Sequence, residues 1–104
     1  MKTFSLSFIL VLFISLASPT LAADDAKARG LLNSLGCKGC HSFEGSGGSL
    51  GPALDGVGKR LTREQIEAKM LTPKTTNPAS MMPAYGHLAE EDLAALIDFL
   101  EVQK

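Results

Sequence analysis

Large aromatic side chains are scarce in this 104-residue sequence: tryptophan is absent, tyrosine occurs once and phenylalanine five times. Phe4, Phe8 and Phe13 stand in the N-terminal stretch, which leaves Phe43, Phe99 and Tyr85 for a folded core. A small domain with so thin a core needs a staple, such as disulfides, a metal or exceptional packing. Strong charge of either sign is missing as well. The net charge is −1, too mild to name a partner, and the basic footprint that nucleic-acid binding leaves is not there. No stretch alternates apolar and polar residues, so no strand is expected. No segment repeats. The longest apolar run, Ser5–Ala17, has 13 residues, short of the roughly 20 that cross a bilayer.

What the N-terminus does contain is the order of a secretory signal. Lys2 is followed by the apolar run through Phe8, Ile9, Leu10, Val11, Leu12, Phe13 and Ile14, and then by Ser18, Pro19, Thr20, Leu21, Ala22 and Ala23. A basic start, an apolar centre and small residues at the cut define such segments. The expected cut is after Ala22, with Ala23 as the alternative, giving a signal at 1–22 and one domain at 23–104. An uncleaved membrane anchor is the rival, and the shortness of the run speaks against it. A lipid anchor needs a cysteine at the new N-terminus, and the two cysteines are Cys37 and Cys40. The remaining 82 residues carry nine basic and eleven acidic side chains, a net charge of −2.

Asp24–Leu35 reads as a helix. Ala28, Leu31, Leu32 and Leu35 recur at helical spacing, Asp24 and Asp25 suit the positive end of the helix dipole, and Gly36 is a stop signal. Glu44–Gly58, rich in Gly and Ser, reads as a loop. Thr62 and Gln65 have the spacing of a capping box and open a short helix carrying Ile66 and Met70. Thr72 ends it, because the residue before a proline avoids the helical region. Pro73–Pro83 reads as a second loop. A last helix spans about Glu90–Val102, with three acids in its first turn and an apolar stripe of Leu93, Leu96, Ile97 and Leu100 beside Phe99. Ala89 stands where a polar cap is expected, and alanine caps poorly.

Cys37, Cys40 and His41 form a C-x-x-C-H motif. Two thiols three residues apart can reach the two vinyl groups of one haem, and the adjoining histidine then falls under the iron. A thioredoxin-like redox pair expects a βαβ setting, which a strandless chain lacks. A zinc site needs further ligands, and His41 and His87 are the only histidines. Export also fits, because haem is joined to cysteines outside the bacterial cytoplasm. The pattern points to haem attachment, and a tethered apolar macrocycle is a staple of the kind the thin core needs.

From Asp24 to the C-terminus the chain resembles the small class I monohaem cytochromes c of bacteria. Four stretches carry the likeness: LGCKGCHSF at 35–43, GPALDGVGKR at 51–60, MMPAYGHLAEED at 81–92 and LAALIDFL at 93–100. The resemblance implies an all-α cytochrome c fold, three to four short helices wrapped around one covalently attached haem c. It implies a methionine before a proline as the ligand opposite His41, which lands on Met82, with Met81 as competitor. His87 is a third candidate, and beside Gly86 it reads as an exposed loop residue. The backbone carbonyl of Pro52 is expected to accept the other ring N–H of His41, since ligating histidines almost always donate it. Leu54 is expected on the haem face, and Lys59 or Arg60 at a haem propionate. The first and last helices are expected to cross, with Gly30 or Ala28 under Phe99. Relatives often carry an aromatic where Leu31 and Leu32 stand here.

An iron held by His41 and Met82 has no open position, and an axial methionine raises the potential. The expectation is a soluble, monomeric, periplasmic electron carrier. Its partners are redox proteins, not nucleic acid, and it has no stable membrane anchor. Two rivals stand beside it: a haem that binds small molecules or reduces peroxide, and a haem subunit of a larger oxidoreductase.

Overall fold

A computed structural model describes residues 20–104. The expected signal at 1–22 therefore lies outside the described residues, except for the backbone of its last three. Helix α1 spans Thr20–Ser34 and is followed by a single turn of 3-10 helix at Cys37–Gly39. Two short strands come next, β1 (Ser42–Phe43) and β2 (Ser46–Gly47), then α2 (Val57–Arg60), α3 (Arg63–Leu71), α4 (Pro73–Thr76) and α5 (Glu90–Glu101). The fold is mainly helical, as expected, with three helices of nine residues or more carrying the core.

Several local expectations need correction. Helix α1 begins four residues before Asp24, so neither Asp24 nor Asp25 lies in its first turn. Ala22 and Ala23 are strong helix formers and prolong the helix backwards whenever they are present. The expected all-helical chain holds a two-stranded antiparallel hairpin, with Ser42 opposite Gly47 and Phe43 opposite Ser46. Its turn residues Glu44 and Gly45 have φ of 51° and 82°. Positive φ at both central positions is the mark of a type I′ turn, which favours Asn-Gly or Asp-Gly. Glutamate in the first position hid the hairpin. Helix α2 begins at the last two residues of the first expected loop and runs on to Arg60, and the second expected loop contains the four-residue α4, which starts on Pro73, where proline is well tolerated.

The other boundaries are as read. Gly36 has a left-handed backbone, φ 73°, and ends the α1 segment. The Thr62 hydroxyl accepts the Gln65 N–H at 3.2 Å, and the Gln65 side chain accepts the Thr62 N–H at 2.9 Å, closing the capping box. Helix α3 stops at Leu71, and α5 starts after Ala89 without a side-chain cap.

The core is built where α5 meets α1, α2 and α3. Ala28 and Leu32 of α1, Ile66 and Met70 of α3, and Leu96, Ile97, Phe99 and Leu100 of α5 are buried together with Phe43, Leu54, Val57 and Tyr85. Ala28 of α1 is fully buried in the core shared with α5, whereas Gly30 is exposed and has nothing near it. Phe43 and Phe99 meet edge to face with centroids 5.7 Å apart, and the Arg29 guanidinium lies over both rings, 5.6 and 5.2 Å from their centroids. Such contacts add to area burial by about 0.5–1.5 kcal/mol each. Surface ion pairs between Lys27 and Asp92, and between Arg63 and both Asp98 and Glu101, tie α1 and α3 to α5. Exposed pairs of this kind contribute little each.

Helix α2 approaches the end of α5 at Gly58. The Gly58 N–H donates to the Gln103 carbonyl at 2.8 Å, and Lys104 Nζ donates to the Gly58 carbonyl at 3.1 Å. A β-carbon at Gly58 would overlap the Glu101 carbonyl, a backbone atom with no rotamer to move. Gly58→Ala is therefore expected to cost about 1–3 kcal/mol and to lower the thermal midpoint by roughly 4 °C or more. A differential scanning calorimetry trace unchanged from wild type would contradict this packing.

Candidate haem site

The C-x-x-C-H motif sits where α1 has ended and the chain turns. Gly36 reverses the backbone, and the 3-10 turn places Cys37 and Cys40 on one short arc, with the Cys40 and His41 N–H groups both donating to the Cys37 carbonyl. Cys37 is half-buried and Cys40 exposed. Burial pushes the Cys37 thiol above its ordinary pKa, and the Tyr85 hydroxyl beside it acts in the opposite direction.

The residues that follow the motif are held against those around Pro52. The Gly51 N–H donates to the Cys40 carbonyl and the Leu54 N–H to the Ser42 carbonyl, both at 2.8 Å. Between these bonds, His41 Nδ1 lies 2.6 Å from the Pro52 carbonyl oxygen. A carbonyl only accepts, so Nδ1 carries the proton and donates, which leaves Nε2 as the nitrogen with a free lone pair. Gly51 is the close-approach position: a β-carbon there would overlap the His41 ring.

His41 and Met82 line the same cleft, together with Leu32, Cys37, Leu54, Met70, Tyr85, Leu96 and Leu100. Its exposed wall is wholly apolar. Met82 is partly buried, and its N–H is held by Ser80 Oγ at 3.2 Å. Met81 is 86% exposed and does not line the cleft. His87 is exposed outside it, its ring tilted against Tyr85. Leu54 is buried in the wall of the cleft. Lys59 and Arg60 lie on a separate groove with Arg63, Glu101 and Lys104. Arg60 is spent on backbone carbonyls, donating to Ala53 O at 2.6 Å and to Asp55 O at 3.0 Å.

Sequence reasoning passed over Met70 and Tyr85 as parts of the site. Met70 comes from α3, and its carbonyl accepts the Tyr85 N–H at 2.8 Å, a bond that draws the methionine-bearing loop onto the cleft. The one available signal for Tyr85 was its rarity, a lone tyrosine in a chain without tryptophan.

The donor set fits a covalently held haem. Two cysteines stand on one turn, Cys37 in the wall of the cleft and Cys40 exposed, a histidine offers Nε2, a thioether stands in the same cleft, and leucines and methionines make up most of the lining. Gly51→Ala is expected to push the His41 ring off the Pro52 carbonyl. The check is the His41 ring N–H resonance by NMR: it should lose its protection against exchange, and an unaltered signal would show that the pocket can accommodate the extra carbon.

A family model described as Cytochrome c matches residues 26–104 of the chain. The chain is also 36% identical over 76 residues to cytochrome c oxidase subunit 2 of Alkalihalophilus pseudofirmus. That match covers 65% of this chain and 22% of the relative, so the chain corresponds to about a fifth of that longer protein. With the motif, its histidine and the apolar cleft in the matched region, the chain belongs to the cytochrome c family, whose domain binds haem c covalently.

Proposed function

We propose that the chain is an exported single-haem electron carrier, with thioether links from Cys37 and Cys40 and with His41 and Met82 as the two axial ligands. The observation that carries this reading is the sharing of one apolar cleft by His41 and Met82, with His41 already oriented by Pro52. When bound, haem supplies reversible one-electron exchange at its iron. The chain's own residues set the terms of that exchange. The Pro52 carbonyl holds the Nδ1 proton and fixes the ring. Leu32, Leu54, Leu96 and Leu100 keep water from the cleft, and low polarity around a metal disfavours its more highly charged oxidised state. A thioether ligand acts in the same direction. Were His41 and Met82 both to hold the iron, outer-sphere electron transfer would be favoured over substrate binding.

Export through the segment at 1–22 would place attachment and function in the periplasm, with donor and acceptor proteins as partners. The likeness to part of an oxidase subunit supports a second reading, in which the chain works as the haem-bearing component of a larger oxidoreductase. Isolation from membranes as a stable complex would favour the second, and a freely soluble monomer the first.

A pyridine haemochrome assay is expected to give one covalently bound haem per chain, and its absence would defeat both readings. Met82→Ala is expected to abolish the long-wavelength iron–methionine absorption band and Met81→Ala to leave it, with the reverse result refuting the ligand assignment. The reduced wild-type protein should bind carbon monoxide slowly, and Met82→Ala rapidly. Rapid binding by wild type would instead favour a gas-binding or peroxide-reducing role.

A further inference from the structure

The segment that presents the Pro52 carbonyl is held from two sides. On one side lie residues 40–44, through the bonds from Gly51 to Cys40 and from Leu54 to Ser42, and through the Glu44 N–H donated to Asp55 Oδ1 at 3.0 Å. On the other side lies Arg60. Its guanidinium reaches back five and seven residues to the carbonyls of Asp55 and Ala53, the latter at 2.6 Å. These carbonyls belong to the residue directly after Pro52 and to the last residue of the same segment. Helix α2, which carries Arg60, is itself fastened to the C-terminal end of the chain through Gly58 and Gln103. Arg60 thus links a rigid anchor to the peptide that orients His41.

We propose that Arg60 is a positioning residue for His41, acting through the Ala53 and Asp55 carbonyls to hold the Pro52 carbonyl on Nδ1. The proposal rests on the reading of His41 as an iron ligand. A planar fork of N–H donors can hold two carbonyls at once, and a lysine ammonium on a flexible stem does not reproduce that geometry. A tighter Nδ1–H···O bond makes the imidazole a more basic ligand, and a more basic ligand favours the oxidised iron. Slackening the Pro52 segment should therefore raise the midpoint potential. A guanidinium acting only as a positive charge near the haem gives the opposite sign, because its removal stabilises the oxidised, more positive centre and lowers the potential.

Arg60→Lys and Arg60→Met in the haem-loaded protein separate these accounts. Positioning predicts a raised midpoint potential in both, with the iron–methionine band retained. It also predicts that the His41 ring N–H exchanges about tenfold faster, as for loss of one hydrogen bond of ordinary strength. An unchanged potential in Arg60→Lys, or a lowered one in Arg60→Met, would overturn the role. Arg63→Met, which breaks the α3–α5 ion pairs away from the cleft, controls for general loosening. A rise in that variant equal to the rise in Arg60→Lys would also overturn it. A wild-type protein that carries no haem would sink the reading of the site, whereas haem-loaded variants with unaltered potentials would sink the role of Arg60 alone.

Discussion

The hydrogen bond from His41 Nδ1 to the Pro52 carbonyl, 2.6 Å long, is the constraint on which the site depends. It decides which ring nitrogen keeps its lone pair and which way that nitrogen faces. The bond exists because residues 40–44, which include β1, and the irregular segment 51–55 lie side by side in fixed register. Each end of that pairing is anchored elsewhere. Residues 40–44 continue into the hairpin, and residues 51–55 into α2 and its contact with the C-terminal end of the chain. The His41 ring thereby acquires a fixed orientation.

The hairpin shows how the scaffold tolerates local strain. Glu44 has a positive φ, which costs a residue with a β-carbon about 1–2 kcal/mol. Its carboxylate receives both ends of the Arg29 guanidinium, at 3.1 and 2.9 Å, which lowers its pKa, and its N–H is taken by Asp55. Arg29 at the same time covers Phe43 and Phe99. One side chain of α1 thus joins the first helix, the turn after the haem motif and the last helix. Few aromatics are needed in a core whose two phenylalanines are packed edge to face and capped in this way.

The apolar cleft joins distant parts of the chain. Leu32 comes from α1, Leu54 from the irregular segment, Met70 from α3, Met82 and Tyr85 from the loop before α5, and Leu96 and Leu100 from α5 itself. The Tyr85 N–H to Met70 carbonyl bond is what brings the methionine loop to α3. This separates Met82 from Met81: adjacent positions face different ways, and the backbone held by Ser80 and Tyr85 turns the first of them outward.

Much of this was legible residue by residue. C-x-x-C-H is a local pattern whose chemistry follows from its spacing, and the capping box at Thr62, the stop at Gly36 and the stripe of α5 follow from backbone rules that act within a few residues. The hairpin was not legible, because Glu44–Gly45 lacks the usual turn residues and is stabilised by Arg29, fifteen positions away. Helices α2 and α4 were hidden because four residues carry no periodicity to read. By itself, then, the sequence determined the C-x-x-C-H motif and the three main helices, since each depends on neighbours in the chain, while the Pro52 and Met82 segments came from the family resemblance. Only the tertiary structure decided that Ala28 and not Gly30 is buried in the core, that Met82 and not Met81 enters the cleft, and that Arg60 is spent on the Pro52 segment. Those outcomes depend on which surfaces meet, and spacing along the chain does not contain that information.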